Sequence, residues 1–134
     1  MTFATQMLVT HPGTLDVDTD ALSRCIDECL SCAQACTACA DACVAEESVA
    51  DLRQCIFLCL NCADLCETTG RIISRTAKFD RGLARAMLQA CAATCKFCGA
   101  ECKHHGEMGM AHCEVCAEAC KRCEEACQAL LALL

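Results

Sequence analysis

The cysteines of this chain recur with the spacing of a helical stripe. They form four groups, and within each group the steps between successive cysteines alternate between three and four residues. Such steps place all members of a group on one face of an α-helix, whereas a β-strand would require a period of two. The four groups therefore predict four helices, over roughly residues 20–45, 48–78, 80–105 and 110–133.

Polar and flexible residues separate the four groups. Ser48 with Asp51 predicts the start of the second helix, Asp80 predicts the N-cap of the third, and Gly106 and Gly109 separate the third group from the fourth. Short connections between long helices favour antiparallel neighbours. The predicted fold class is all-α, an antiparallel up-down four-helix bundle with a cysteine-lined core, spanning residues 18–134 after an N-terminal tail at residues 1–17.

Residue counts from the two turns near residues 47 and 107 align the four stripes. The three predicted layers are Cys39, Cys55, Cys98 and Cys116; Cys36, Cys59, Cys95 and Cys120; and Cys32, Cys62, Cys91 and Cys123. Away from these turns the stripes continue as an apolar plug that includes Leu22, Ile73 and Leu130. The opposite end carries the segment KHHGEMGMAH, which concentrates histidine and methionine.

Composition and charge narrow the range of partners. Leu, Ile, Val and Phe make up only about 20% of the chain, so alanine and cysteine must fill most of the core. The net charge of -7 predicts neither a nucleic-acid nor a membrane partner. The first twenty residues contain no export signal, which predicts a cytoplasmic location. In that reducing compartment, many cysteines indicate metal binding or redox chemistry.

Metal binding fits the spacing better than disulfides within a helix. The Cβ atoms of residues three or four apart on a helix are about 5–6 Å apart, but a disulfide needs about 3.8 Å. A metal ion can bridge two thiolates at that spacing, and a nearly pure thiolate lining selects soft ions such as Cu(I). Because Cu(I) accepts two or three sulfurs and a thiolate can bridge two ions, one ion per thiolate neutralises the core. The cargo would then be many Cu(I) ions, on the order of 19 per chain.

The predicted ligands include residues at the turn end as well as the cysteines. His105 lies three residues after Cys102 and Met110 three before Cys113, so both continue the ligand stripes better than Met108 or His112. This end is predicted to be a mouth where Cu(I) is held more weakly before it passes to thiolates. The complete predicted set is Cys25, Cys29, Cys32, Cys36, Cys39, Cys43, Cys55, Cys59, Cys62, Cys66, Cys91, Cys95, Cys98, Cys102, Cys113, Cys116, Cys120, Cys123, Cys127, His104, His105 and Met110.

Together, the four cysteine groups, the repeated C-x-x-x-C spacing and the Met/His-containing end resemble the cytosolic bacterial copper storage proteins. The resemblance covers about residues 20–130. It implies storage of Cu(I) inside a cytosolic four-helix bundle, assembly of the bundles into homotetramers, and no enzymatic activity.

Two alternatives remain open at this point. A metallothionein-like protein would sequester Zn(II) or Cd(II), with four ligands around each zinc ion. A thiol redox enzyme or oxidant sensor would need an accessible pair of cysteines with a low pKa. No such pair stands out, because basic neighbours such as Arg24, Arg53 and Lys96 are scattered beside the stripes.

Overall fold

The structure, a computed structural model, describes residues 1–134, and its regular secondary structure consists of helices, without strands. One 3₁₀ turn, Val49–Leu52, precedes the third helix. The α-helices are α1 (Phe3–Thr10), α2 (Thr19–Ala45), α3 (Arg53–Ile73), α4 (Arg81–Glu107) and α5 (Ala111–Leu131).

Helices α2 to α5 form the predicted bundle. Each packs against two of the others, α2 and α4 both contacting α3 and α5, while the diagonal pairs α2/α4 and α3/α5 have no Cα atoms within 8 Å of each other. This is the arrangement of an up-down four-helix bundle, and the predicted fold class is confirmed. None of the helices combines the length and the apolar character that crossing a membrane requires.

Two aspartates start the long helices. The Asp18 carboxylate accepts a hydrogen bond from the Ala21 amide at 2.8 Å, and the Asp80 carboxylate accepts one from the Leu83 amide at 3.1 Å. Each cap satisfies an amide that has no partner inside the helix. Asp80 therefore performs the predicted capping role.

The second predicted helix differs from the structure at both ends. The Ser48 side chain makes no capping bond, and the chain runs through the 3₁₀ turn before α3 begins at Arg53. At the other end α3 stops at Ile73 instead of residue 78, because the chain turns there. The Ser74 hydroxyl donates to the Gly70 carbonyl at 2.6 Å, and the Arg75 amide donates to the Ile72 carbonyl at 3.2 Å.

The segment predicted as an N-terminal tail contains helix α1. Thr2 caps this helix by accepting a hydrogen bond from the Thr5 amide, and its hydroxyl donates to the Asp27 carboxylate of α2 at 2.8 Å. Ala4 and Leu8 are half-buried against the core. Helix α1 therefore lies on the outside of α2 and contributes no fully buried residue.

The core is a column of sulfur closed at one end by leucine and isoleucine. All nineteen cysteines are buried, with no more than 2% of any of them exposed. The predicted plug is present, since Leu22, Ile73, Leu88 and Leu130 are completely buried. Leu52 is buried near the first connection.

The two hairpins, α2–α3 and α4–α5, are offset from the predicted layers. Cys59 was predicted to lie level with Cys95, but its sulfur is 3.8 Å from that of Cys98 and 3.6 Å from that of Cys102. The Cys95 sulfur is instead 3.8 Å from that of Cys62. The connections explain the offset: seven residues (46–52) join α2 to α3, but only three (108–110) join α4 to α5. Counting from the loop centres therefore places the α2 and α3 cysteines about two residues too far from the turns.

One buried hydroxyl in this core has no partner. Thr69 is completely buried in α3, and its Oγ1 makes no hydrogen bond. By contrast, the hydroxyls of Thr37 and Thr94 each donate to the carbonyl four residues earlier at 2.8 Å. The Thr69 hydroxyl therefore carries a desolvation cost that nothing in the metal-free fold offsets.

We expect Thr69→Val to stabilise the reduced, metal-free protein by about 1 kcal/mol, because valine keeps the shape and removes the orphan hydroxyl. Denaturant unfolding under reducing conditions measures the change. The matched control is Thr68→Val on the exposed face of the same helix, where we expect a change within about 0.5 kcal/mol. A destabilisation by Thr69→Val larger than that of the control would contradict the expectation.

Candidate metal centre

The cysteine sulfurs form a column along the bundle axis, in which sets of close contacts are linked by separations within 4.8 Å. Recorded Sγ–Sγ distances lie between 3.6 and 4.0 Å, from the Cys25–Cys127 contact at the plugged end to the Cys39–Cys113 contact near the turns. Contacts cross between helices and also run along them, as between Cys32 and Cys36 at 3.8 Å. The predicted cysteine ligands are therefore all brought to one place.

The Cys66 sulfur contacts more cysteine sulfurs than that of any other cysteine. Its Sγ lies within 3.6–3.8 Å of four other sulfurs, from three helices: those of Cys62, Cys91, Cys95 and Cys123. A thiolate in such a position can be shared by more than one metal ion. The column is therefore suited to bridged sites.

None of these sulfurs forms a disulfide. All nineteen cysteines are free thiols, and the closest sulfurs are 3.6 Å apart, compared with about 2.05 Å for a disulfide bond. Cysteines four residues apart on one helix therefore bring their sulfurs close together without forming a disulfide, as the helical spacing predicts.

The sulfur separations fit metal coordination without large movements. A metal–thiolate bond of about 2.3 Å puts sulfurs about 4.0 Å apart in a trigonal site, about 3.8 Å apart in a tetrahedral site and about 4.6 Å apart in a linear site. Several buried groups of four cysteines have all their sulfurs within 4.8 Å of one another, for example Cys32, Cys36, Cys62 and Cys120. The groups overlap, since each of these four cysteines belongs to more than one of them. Separate four-coordinate metal ions therefore cannot occupy all of the groups at the same time.

Burial and hydrogen bonds between cysteines raise the pKa of some thiols, and hydrogen bonds lower the pKa of others. Burial raises the pKa of Cys43 to about 12 and also raises the pKa of Cys113. A hydrogen bond with Cys127 lowers the pKa of Cys25 to about 5, and one with Cys102 lowers the pKa of Cys116 to about 6. A hydrogen bond from a neighbouring cysteine favours the ionised form of the thiol that accepts it.

His112 reaches the column at the end near the turns. Its Nδ1 lies 3.4 Å from the Cys39 sulfur and 3.5 Å from the Cys113 sulfur, and its Nε2 lies 3.1 Å from a Glu46 carboxylate oxygen. Together with Cys39, Cys43 and Cys113 it forms a group whose ligand atoms all lie within 4.8 Å. Burial lowers the pKa of His112, but hydrogen bonds to Cys39 and Glu46 outweigh burial and leave its pKa raised.

His105 is the second histidine turned into this end. Only 7% of the residue is exposed, its Nε2 lies 3.0 Å from a Glu101 carboxylate oxygen, and its buried Nδ1 has no hydrogen-bond partner. An unpartnered ring nitrogen one turn beyond Cys102 on the cysteine stripe of α4 is a free ligand atom. The predicted position of His105 on that stripe therefore matches its burial.

The other residues of the histidine and methionine cluster are placed differently. His104 and Met108 are exposed, whereas Met110 is half-buried against the core. Little in the sequence indicates that His112 reaches the column, because its neighbour Cys113 occupies the stripe. The available signal was its position in the first turn of α5, where a ring can reach across the end of the bundle.

A bundle with an axial column of free thiols defines a helical metal-binding protein with room for many soft ions. The family model described as copper storage protein matches residues 18–132 of the chain. The chain therefore belongs to the copper storage protein family. A search of curated proteins gave no significant match.

Solved structures of one copper storage protein are closely similar to the chain. The structure of Ccsp from Streptomyces lividans loaded with 10 copper equivalents is 54% identical, with a TM-score of 0.95, and the match covers 98% of this chain and 99% of that one. A five-copper structure from a study of copper loading to a cytosolic copper storage protein of the same organism is 56% identical, with a TM-score of 0.83, covering 86% of this chain and 95% of that one.

We expect metal loading to release protons. Eleven of the nineteen thiols have a raised pKa, so they are protonated near neutral pH and must lose a proton to bind as thiolates. Anaerobic loading in weak buffer with a pH indicator should therefore release more than half a proton per Cu(I) ion. For each proton released, apparent affinity should fall about tenfold per unit decrease in pH. Loading without proton release would mean that the thiols are already ionised.

Proposed function

We propose that this protein stores Cu(I) in the cytoplasm, holding many ions on cysteine thiolates inside the bundle. The observation that carries the proposal is the column of nineteen buried thiols, in which close sulfur neighbours lie 3.6–4.0 Å apart and the sets of neighbours are linked within 4.8 Å. Soft thiolates favour Cu(I), and sharing of sulfurs allows about one ion per thiolate. The copper-loaded Streptomyces lividans relatives support the choice of cargo, and the description of one of them as cytosolic supports the location.

Charge balance supports a high copper content. Each Cu(I) ion that replaces one thiol proton leaves the charge of the core unchanged, so a filled column carries no uncompensated buried charge. Zn(II) at four thiolates would leave two negative charges at each site. The alternative of a zinc or cadmium store is therefore less well suited to this core.

The same arrangement supports a role without catalysis. The thiols are enclosed along the axis, and none of the cysteines is an accessible nucleophile. A thiol redox enzyme or sensor would need at least one exposed, reactive pair. We further propose that bundles assemble into homotetramers, as the family resemblance implies, and that copper ions are the partners instead of nucleic acid or a membrane.

Uptake is proposed to occur at the mouth, the end of the column that contains His105, Met110 and His112. A neutral imidazole or thioether binds Cu(I) without contributing a negative charge, and ions held there can transfer to the thiolates of Cys39, Cys102 and Cys113. At the opposite end, the completely buried side chains of Leu22, Ile73, Leu88 and Leu130 form the apolar plug.

We expect reduced protein to take up about one Cu(I) per cysteine, on the order of 19 ions, and only about four or five Zn(II) ions, since each zinc ion needs four ligands. Anaerobic titration with each metal, followed by removal of unbound metal and elemental analysis, measures both numbers. Saturation with Cu(I) at four or five equivalents would favour the zinc-type store. Replacing Cys59, Cys62, Cys95 and Cys120 with serine should lower the Cu(I) capacity by roughly four.

We also expect the mouth residues to control the rate of uptake and not the capacity. Replacing His105 and Met110 with alanine should slow loading while the final copper content stays nearly unchanged, and adding His112→Ala should slow it further. Stopped-flow absorbance in the ultraviolet follows the formation of copper–thiolate bonds. The matched control is His104→Ala, whose side chain is exposed. Equal loading rates in all variants would place uptake elsewhere while leaving storage intact.

A further inference from the structure

Each of the two mouth histidines is backed by a carboxylate. Glu46 Oε1 lies 3.1 Å from His112 Nε2, and Glu101 Oε1 lies 3.0 Å from His105 Nε2. An ionised carboxylate can only accept hydrogen bonds, so each Nε2 must carry the proton that is donated. In the neutral imidazole this leaves the lone pair on Nδ1.

In both rings the free nitrogen is the one available to the thiol column. His112 Nδ1 is within 3.5 Å of two cysteine sulfurs, those of Cys39 and Cys113. His105 Nδ1 is buried without a partner. The two arrangements are built independently, since Glu101 is on the same helix as His105, whereas Glu46 follows α2 and reaches a histidine on α5.

We propose that Glu46 and Glu101 are positioning residues that fix His112 and His105 with the proton on Nε2 and Nδ1 free to bind Cu(I). This inference rests on the proposed uptake of Cu(I) at the mouth. A carboxylate that accepts from the remote ring nitrogen orients the ring and increases the basicity of the nitrogen that binds the metal. The carboxylate also places a negative charge near the Cu(I) ion at the mouth. That charge matters because a neutral imidazole does not balance the positive charge of the ion, whereas thiolates in the column do.

A purely structural role explains the two contacts less well. Glu46 is the C-cap residue of α2, where the negative end of the helix dipole disfavours a carboxylate. Both glutamates are partly exposed, with 38% of the Glu46 side chain and 27% of the Glu101 side chain accessible, and exposed ion pairs contribute little to stability. Stability alone therefore does not account for two such pairs around one mouth.

The first test requires no copper. Nitrogen-15 NMR of the reduced, metal-free protein, at a pH where the imidazoles are neutral, reports which ring nitrogen is protonated. We expect His105 and His112 to be protonated at Nε2, and Glu101→Ala and Glu46→Ala to give a mixture of tautomers at the corresponding ring. A proton on Nδ1 in the wild-type protein, or an unchanged single tautomer in both variants, would overturn the inference.

The second test measures loading. Glu46→Ala and Glu101→Ala combined should slow Cu(I) uptake about tenfold or more with the final copper content unchanged, and the Gln variants should restore part of the rate because an amide oxygen still accepts from Nε2. The matched controls are Glu47→Ala and Glu107→Ala, which change exposed glutamates with no recorded histidine contact. Slowing by the controls to the same extent would indicate a general charge effect and overturn the positioning role. A wild-type protein that binds no Cu(I) would refute the proposed function, whereas the tautomer result would stand separately.

Discussion

Burial of nineteen sulfur atoms on one axis is the constraint on which the rest of the structure depends. Protonated thiols pack as small hydrophobic groups, but uncompensated thiolates in the same place would be strongly unfavourable. Exchange of one proton for one Cu(I) ion preserves that neutrality. The sulfurs can therefore lie 3.6–4.0 Å apart in the metal-free protein and still be suitably placed when metal ions enter.

Filling the axis with cysteine changes where the large apolar residues lie. Leucine and isoleucine close one end of the column, where Leu22, Ile73 and Leu130 are completely buried. The bulky side chains of Phe57 and Phe97 are left outside, at 66% and 62% exposure. The bundle is thus closed by conventional hydrophobic packing at one end only, which gives the store a direction.

At the proposed mouth, imidazole nitrogen and thioether sulfur give way to cysteine sulfur alone. His112 contacts two cysteines directly, and His105 brings a bare nitrogen to the end of the α4 stripe. Neutral ligands bind Cu(I) without the proton loss that a thiol requires. In the proposed uptake route, a weaker neutral site followed by a thiolate column would give an ion a favourable direction of transfer into the core.

The sequence by itself determined the four cysteine-bearing helices, the all-α bundle and the burial of every cysteine, because the alternating spacing is a local property of each helix. It also located the Asp80 cap and the stripe position of His105. Only the tertiary structure decided the offset between the hairpins, since that depends on the unequal connections at residues 46–52 and 108–110. It likewise decided that His112 reaches the column, because its contacts with Cys39 and Glu46 join residues that lie far apart along the chain.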